Sequence, residues 1–207
     1  MTREQERTTN RNAVIHAATK LFLENGIDKT TVAEIADEAQ LSAMSVYRYF
    51  GTKQSIAVAV TNYLLQEYLE EHRRRCAEAE QPKENGHDCF SRIIRAYVDT
   101  YEAHPEYIDF LQDIGFYSMR EGLSYDLDYM QFGSVHMDNI DRPAREALRQ
   151  GIQDGSIRKD IDIQMVGLTI ANLLTGGVHF RGMIDEKEQM QIIRHTAEMI
   201  IYYTKEA

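Results

Sequence analysis

The stretch TVAEIADEAQLSAMSVYRYF, residues 31–50, decides how this chain folds. Thr31 and Glu34 stand three apart, the spacing of a capping box, so a helix should start at Thr31 and run to about Ala39. Gln40-Leu41-Ser42 reads as a turn, and the Ser42 hydroxyl can cap a second helix that ends at Phe50. Ala36 puts a small residue midway along the first helix, where the two must approach closely. Ile35, Leu41 and Val46 then fill the positions where they meet. The second helix has only two turns and contains Val46, Tyr47 and Tyr49, none a strong helix former. It would not persist alone, so its rigidity must come from packing. A short helix propped by its neighbours and presented outward is the recognition element of a helix-turn-helix.

Helical patterns extend in both directions from this stretch. Residues 12–25 set Val14, Ala18, Leu21 and Phe22 on one face, and Gly26 followed by Ile27 is the usual C-terminal stop and latch. Thr52 can cap a helix from Lys53 to about Arg75 that meets no Gly or Pro, a span of roughly 35 Å at 1.5 Å per residue. Residues 77–87 read as a polar loop. Helical patterns follow at about 88–103, 106–120 and 126–153, with breaks near Pro105 and Gly122 and a kink or split expected at Pro143. Gly155 closes that region, and apolar helices are expected at 161–182 and 186–204. No useful run alternates as a strand would, and no repeat or low-complexity tract is present. The expected fold is all-α with about nine helices. A three-helix head over residues 1–53 precedes a helical domain over residues 54–207.

Composition narrows the function. The net charge of −10 argues at first against a nucleic-acid partner, but its distribution is uneven. Residues 1–53 hold seven Lys or Arg (Arg3, Arg7, Arg11, Lys20, Lys29, Arg48, Lys53) and seven acids, so the whole excess lies in residues 54–207. A neutral head on an acidic body limits non-specific sticking to a polyanion while leaving the head able to approach one. No stretch reaches the roughly 20 apolar residues of a membrane span, and the first twenty residues lack a signal-peptide core, so the expected location is the cytoplasm. Cys76 and Cys89 are too few for a disulfide framework and read better as incidental thiols than as a redox pair. The seven histidines are dispersed without metal-ligand spacing. No phosphate-binding glycine loop or nucleophile elbow is found, so no enzyme, metal or cofactor is expected.

The run from Arg11 through Ile56 resembles the TetR/AcrR family of transcriptional regulators. Phe22, Gly26, Thr30-Thr31, Ile35-Ala36, Ser42, Tyr47, Phe50 and Lys53 all stand where that family's pattern has them. Two residues depart from it. Gln40 occupies the turn where the family usually has Gly, and a left-handed Gln costs roughly 1–2 kcal/mol. Met44 replaces a common Gly, so base preference cannot be carried over from other members. The resemblance implies that Thr31, Tyr47 and Lys53 contact the DNA backbone while Ala43, Met44, Ser45 and Tyr49 face base edges. Lys53 also has a physical argument of its own. A cation in the first turn of a helix opposes the macrodipole, but a phosphate docked there would be drawn by both the ammonium and the helix N-terminus. A tolerated surface lysine, a packed Tyr47 and an exposed Tyr49 are the plainer readings. Arg3, Arg7 and Arg11 read either as a minor-groove arm or as a charged, disordered tail.

Ten of the nineteen aromatics lie between Phe90 and Phe132, six of them tyrosines. Tyrosine needs a partner for its hydroxyl in a dry core, so the stretch fits a cavity with scattered polar tips about as well as it fits plain core. The resemblance implies a cavity for a small inducer, with Tyr97, Tyr101, Phe110, Asp113, Ile114, Tyr117, Tyr129, Met130 and Leu174 as its candidate lining. An inward Asp113 would favour a lipophilic cation; exposure is the simpler placement for it. The last two helices carry Val166, Ile170, Leu173, Ile193, Thr196, Met199, Ile200 and Tyr203, more apolar surface than one subunit's interior needs. The resemblance implies that they pair with their symmetry mates, and a two-fold homodimer suits a near-palindromic operator on double-stranded DNA. The expected function is therefore a ligand-responsive repressor released from its operator by a small apolar or amphipathic inducer. The alternatives are an activator or inducer-independent regulator of the same fold, and an all-helical carrier or enzyme for an apolar molecule.

Overall fold

The structure is a computed structural model that describes residues 2–79, 83–121, 142–176 and 184–206. The helices are α1 (Arg3–Asn25), α2 (Val32–Glu38), α3 (Ala43–Phe50), α4 (Lys53–Glu78), α5 (Gly86–Ala103), α6 (Pro105–Arg120), α7 (residues 142–154), α8 (Ile163–Gly176) and α9 (Glu186–Thr204). Among the described residues the only extended pairing is one antiparallel bridge, Ile157 to Lys205. The all-α expectation holds. None of these helices is long and apolar enough to cross a membrane. The expected kink at Pro143 turns on the residues before it, and residues 122–141 lie outside the described set, as do 177–182 of the expected eighth helix.

The chain forms two compact units. The first takes Met1–Glu67 and Asp109–Ser124, and the second takes Tyr68–Ile108 and Tyr125–Ala207. The first unit is built on α1, whose Val14, Ala18 and Phe22 are buried beneath Ile35 and Ala36 of α2 and Val46 and Phe50 of α3. Leu41, expected at the same junction, is half-buried. Phe110 of α6 completes this core, its ring stacked on Phe22 with centroids 6.1 Å apart.

Two local features depart from the sequence reading or sharpen it. Helix α1 begins at Arg3 rather than near Asn12. The reason is a capping box in the polar N-terminal run: Thr2 Oγ1 accepts the Gln5 amide, and Gln5 Oε1 accepts the Thr2 amide in return. Arg3 and Arg7 are therefore helical, neither an unstructured arm nor a tail. Gln40 has φ of 56°, left-handed as expected, because the chain must reverse before Ser42 can cap α3. Gln40→Gly should raise stability by about 1 kcal/mol, read as a higher denaturation midpoint, since glycine adopts this conformation without a Cβ penalty.

In the second unit α5 is the central helix, packed against α8 and α9. Phe90, Ile94 and Tyr97 point into the core, and His87 donates from Nε2 to the Ile201 carbonyl at 3.0 Å. The last turns of α4 join through Tyr68, whose hydroxyl donates to the Tyr97 carbonyl at 3.1 Å, and through His72, whose ring stacks on Tyr97 at 3.7 Å. Burial holds the His72 imidazole down to about 4, so it is neutral at physiological pH. Gly86 opens α5 at a point where the backbone of α7 comes so close that a Cβ would overlap the main chain of Gly151. The Gly86 amide also donates to Asp154 Oδ2 at 2.7 Å. Cys76 and Cys89 are not joined in a disulfide, and burial pushes the Cys76 thiol up to about 11.

Candidate nucleic-acid interface

The recognition helix follows from a division of labour along α3. Val46 and Phe50 turn inward and anchor it. Ser42 starts it, its Oγ accepting the Ser45 amide at 3.2 Å and donating to Ser45 Oγ at 3.0 Å. What remains faces outward: Met44 is 80% exposed and Tyr47 52%, while Ala43, Ser45 and Tyr49 are partly exposed. A two-turn helix with an apolar anchor and uncovered side chains can enter a groove without losing its own core.

The backbone-contact candidates lie at helix starts. Thr31 caps α2 as expected: its Oγ1 accepts the Glu34 amide at 3.2 Å, and Glu34 Oε2 accepts both the Thr31 amide at 2.7 Å and the Thr31 hydroxyl at 2.8 Å. The Thr31 bonds hold the Glu34 carboxyl below its usual range, so it stays ionised there. A phosphate reaching the Thr31 hydroxyl therefore competes with Glu34. Lys53 opens α4 and is partly buried. Its Nζ donates to the Asp28 carbonyl at 3.1 Å and sits 5.8 Å from the Tyr117 ring centroid. Burial pulls its ammonium below the ordinary lysine range, against the raising fields of Asp28, Glu121 and Glu34. Two of its three donors stay available to an anion.

The match to known proteins falls on these same elements. Residues 14–60 match the family model described as bacterial regulatory proteins, tetR family. Residues 14–60 thus carry the DNA-binding domain of the TetR family. The HTH-type transcriptional regulator HbdR of Aromatoleum sp. (strain CIB) is 39% identical over 74 residues, which are 36% of this chain and 32% of that protein. The HTH-type transcriptional repressor KstR2 of Rhodococcus jostii (strain RHA1) is 24% identical over 163 residues, covering 75% of this chain and 71% of KstR2. A putative TetR-family transcriptional regulator from Mesorhizobium loti shares the fold across the full length of both chains, with a TM-score of 0.71 at 14% identity. These relatives are named as transcriptional regulators, and the domain that matches the family model spans α2 and α3.

Asn10 and Arg120 of the first unit were not singled out from sequence, and Arg11 was read only as part of an arm or tail. Asn10 and Arg11 of α1 bond to Tyr49, and Arg120 of α6 pairs with the Asp28 carboxylate while its guanidinium lies over the Tyr117 ring. No periodicity marks them, because each is a polar residue acting at a distance in the chain.

The expected inducer-site residues are distributed differently from the simple picture. Phe110, Asp113, Ile114 and Tyr117 belong to the first unit, Tyr97 and Tyr101 to the second. Phe110, Ile114, Tyr97 and Tyr101 are buried, Tyr117 is half-buried, and Asp113 is exposed rather than turned inward. The Tyr101 hydroxyl accepts from Gln189 Nε2 at 3.3 Å. Tyr129, Met130 and the Leu174 side chain lie outside the described residues.

The expected dimer residues also divide. Val166, Ile170, Leu173, Ile193 and Ile200 are buried inside the chain, where α8 and α9 pack on each other and on α5, so these five serve the monomer's core. Met199 and Tyr203 are exposed, and Thr196 is half-exposed. Among the described residues Met165, Leu168, Ile192, Met199, Tyr202 and Tyr203 are left exposed on these helices, Met165, Leu168 and Ile192 lining an apolar groove of about 390 Å³. Sequence periodicity found two apolar helices but could not separate their inner faces from their outer ones. Among the described residues no group of three or more His, Cys, Asp or Glu is placed to hold a metal.

Proposed function

We propose that this TetR-family chain is a ligand-responsive repressor that binds a near-palindromic operator as a homodimer and is released by a small apolar or amphipathic inducer. The observation that carries the reading is the first unit itself. It holds a capped, two-turn α3 whose Met44, Tyr47 and Ser45 face outward from a core supplied by α1 and α2. The functional division falls after residue 53, with the head on its N-terminal side. KstR2 is named as a repressor, which supports repression over activation.

Release acts through α6. From Asp109 onward that helix belongs to the first unit, where Tyr117 lies by Lys53 and Arg120 holds Asp28. A ligand that shifts α6 along its length therefore disturbs the corner that fixes the start of α4. Heads displaced from successive major grooves, about 34 Å apart, lose operator affinity. By linkage the operator weakens inducer binding by the same factor.

The direct test is selection from a pool of random duplexes, followed by titration of the enriched sequence. A near-palindromic consensus is expected, and failure to enrich any sequence would remove the reading. Substituting Met44 or Ser45 should shift that consensus at the bases they face, whereas a change of affinity with an unchanged consensus would take both off the base edges. The dimer has its own check. Leu168→Lys with Ile192→Lys places charges on this exposed apolar surface and should convert a sedimenting dimer to monomer, with operator affinity falling alongside. A double variant that stays dimeric would put the interface elsewhere.

A further inference from the structure

Three donors from outside the inner face of α3 converge on Tyr49. Its hydroxyl oxygen accepts from Asn10 Nδ2 at 3.1 Å and from Arg48 Nη2 at 3.4 Å. Its main-chain carbonyl accepts from Arg11 Nη1 at 2.7 Å, and the Arg11 guanidinium lies 4.5 Å over the Phe50 ring. Helix α1 thus grips the C-terminal end of α3 by side chain and backbone at once. That end exposes carbonyls with no partner within the helix, which a guanidinium satisfies well.

The chemistry of the hydroxyl gives the grip a consequence. A phenol has one proton and two acceptor lone pairs. With Asn10 and Arg48 on the oxygen, both lone pairs are engaged and only the proton is free. Tyr49 is partly exposed on the recognition helix, so that proton is available to a partner. We propose that Asn10 and Arg48 make Tyr49 a donor-only reader of DNA, with Asn10 and Arg11 as positioning residues that set it from outside the helix-turn-helix. The proposal rests on the DNA-binding reading of α3. Such a hydroxyl pairs with an acceptor, either a phosphate oxygen or a base-edge acceptor such as guanine N7 or O6, adenine N7 or thymine O4. It rejects the amino groups of cytosine and adenine, which demand an acceptor in return. The same two donors hold the Tyr49 phenol below its ordinary range, Asn10 first and Arg48 second, as expected for an oxygen surrounded by N–H groups.

A double-mutant cycle on the duplex enriched by the wild-type protein tests this. Asn10→Asp replaces the donor with an acceptor, so the hydroxyl turns its proton to the carboxylate and away from DNA. Operator affinity should fall about tenfold, the size of one lost charge-free hydrogen bond with its unsatisfied partner. In a Tyr49→Phe background the same change should cost no more than about twofold, because charge repulsion persists there and the hydroxyl does not. Asn10→Ala is the second variant should Asn10→Asp melt early: it frees a lone pair and leaves the proton able to donate, so affinity for the wild-type duplex should hold while acceptance widens. If the partner is a base edge, its selected consensus should then admit cytosine or adenine at one position. If the partner is a phosphate, Tyr49→Phe should weaken every sequence alike. Equal losses in both backgrounds, with wild-type binding intact, would overturn the donor-only network alone. A wild-type protein that enriches no sequence overturns the DNA-binding reading with it.

Discussion

Lys53→Ala should weaken binding to every duplex by about 10- to 100-fold, the range for losing one charged hydrogen bond, and should lower the slope of log affinity against log salt by about one unit. The side chain opens α4, where the helix N-terminus and the ammonium attract the same anion. Its environment sharpens the expectation. One Nζ donor is committed to the Asp28 carbonyl and the Tyr117 ring lies near, which hold the ammonium in place and spare it much of the entropy a free lysine would lose. The same contacts offer a competing explanation, that Lys53 is only a structural tie. Salt dependence separates the two. A tie would lower the melting temperature and leave the salt slope untouched, whereas a phosphate contact moves the slope. Lys53→Glu should be worse than Lys53→Ala, since a carboxylate at a helix start favours the helix dipole but repels the phosphate.

Gly86→Ala should destabilise the second unit by about 3 kcal/mol, at the upper end of overpacking costs. A Cβ at this position meets main-chain atoms of Gly151, which no rotamer change relieves. The clash would force α5 and α7 apart and break the bond from the Gly86 amide to Asp154. Gly155→Ala is the control. That residue has φ of 81° but open space around it, so only the backbone penalty of about 1 kcal/mol is expected. Chemical denaturation of both variants reads the difference. Equal midpoints for the two would show that the α5–α7 crossing opens without cost.

Both predictions mark where the sequence was legible and where it was not. The capping signals at Thr31 and Ser42 and the turn at Gln40 stood out because their physics is local. Three or four residues determine each, and the structure has them as read. Helix α9 begins at Glu186 for the same reason, with Asp185 and Glu188 forming a capping box. The early start of α1 is invisible to apolar periodicity, because Thr2 with Gln5 starts a helix that has none for its first turns. The outer faces of α8 and α9 were not legible because α8 is apolar around much of its circumference, so a list of its Ile, Leu and Val residues mixes core with surface. The Asn10–Tyr49 and Arg120–Asp28 pairs join residues 39 and 92 positions apart, and nothing local announces either.

The anchoring of α3 by Val46 and Phe50 has a consequence for how such a protein diversifies. Its stability resides in side chains turned into the core, so positions 44, 45 and 47 can be exchanged with little effect on folding. A library randomised at those three sites should express as folded protein almost throughout. New target preferences then become reachable by single steps, each passing through a viable intermediate.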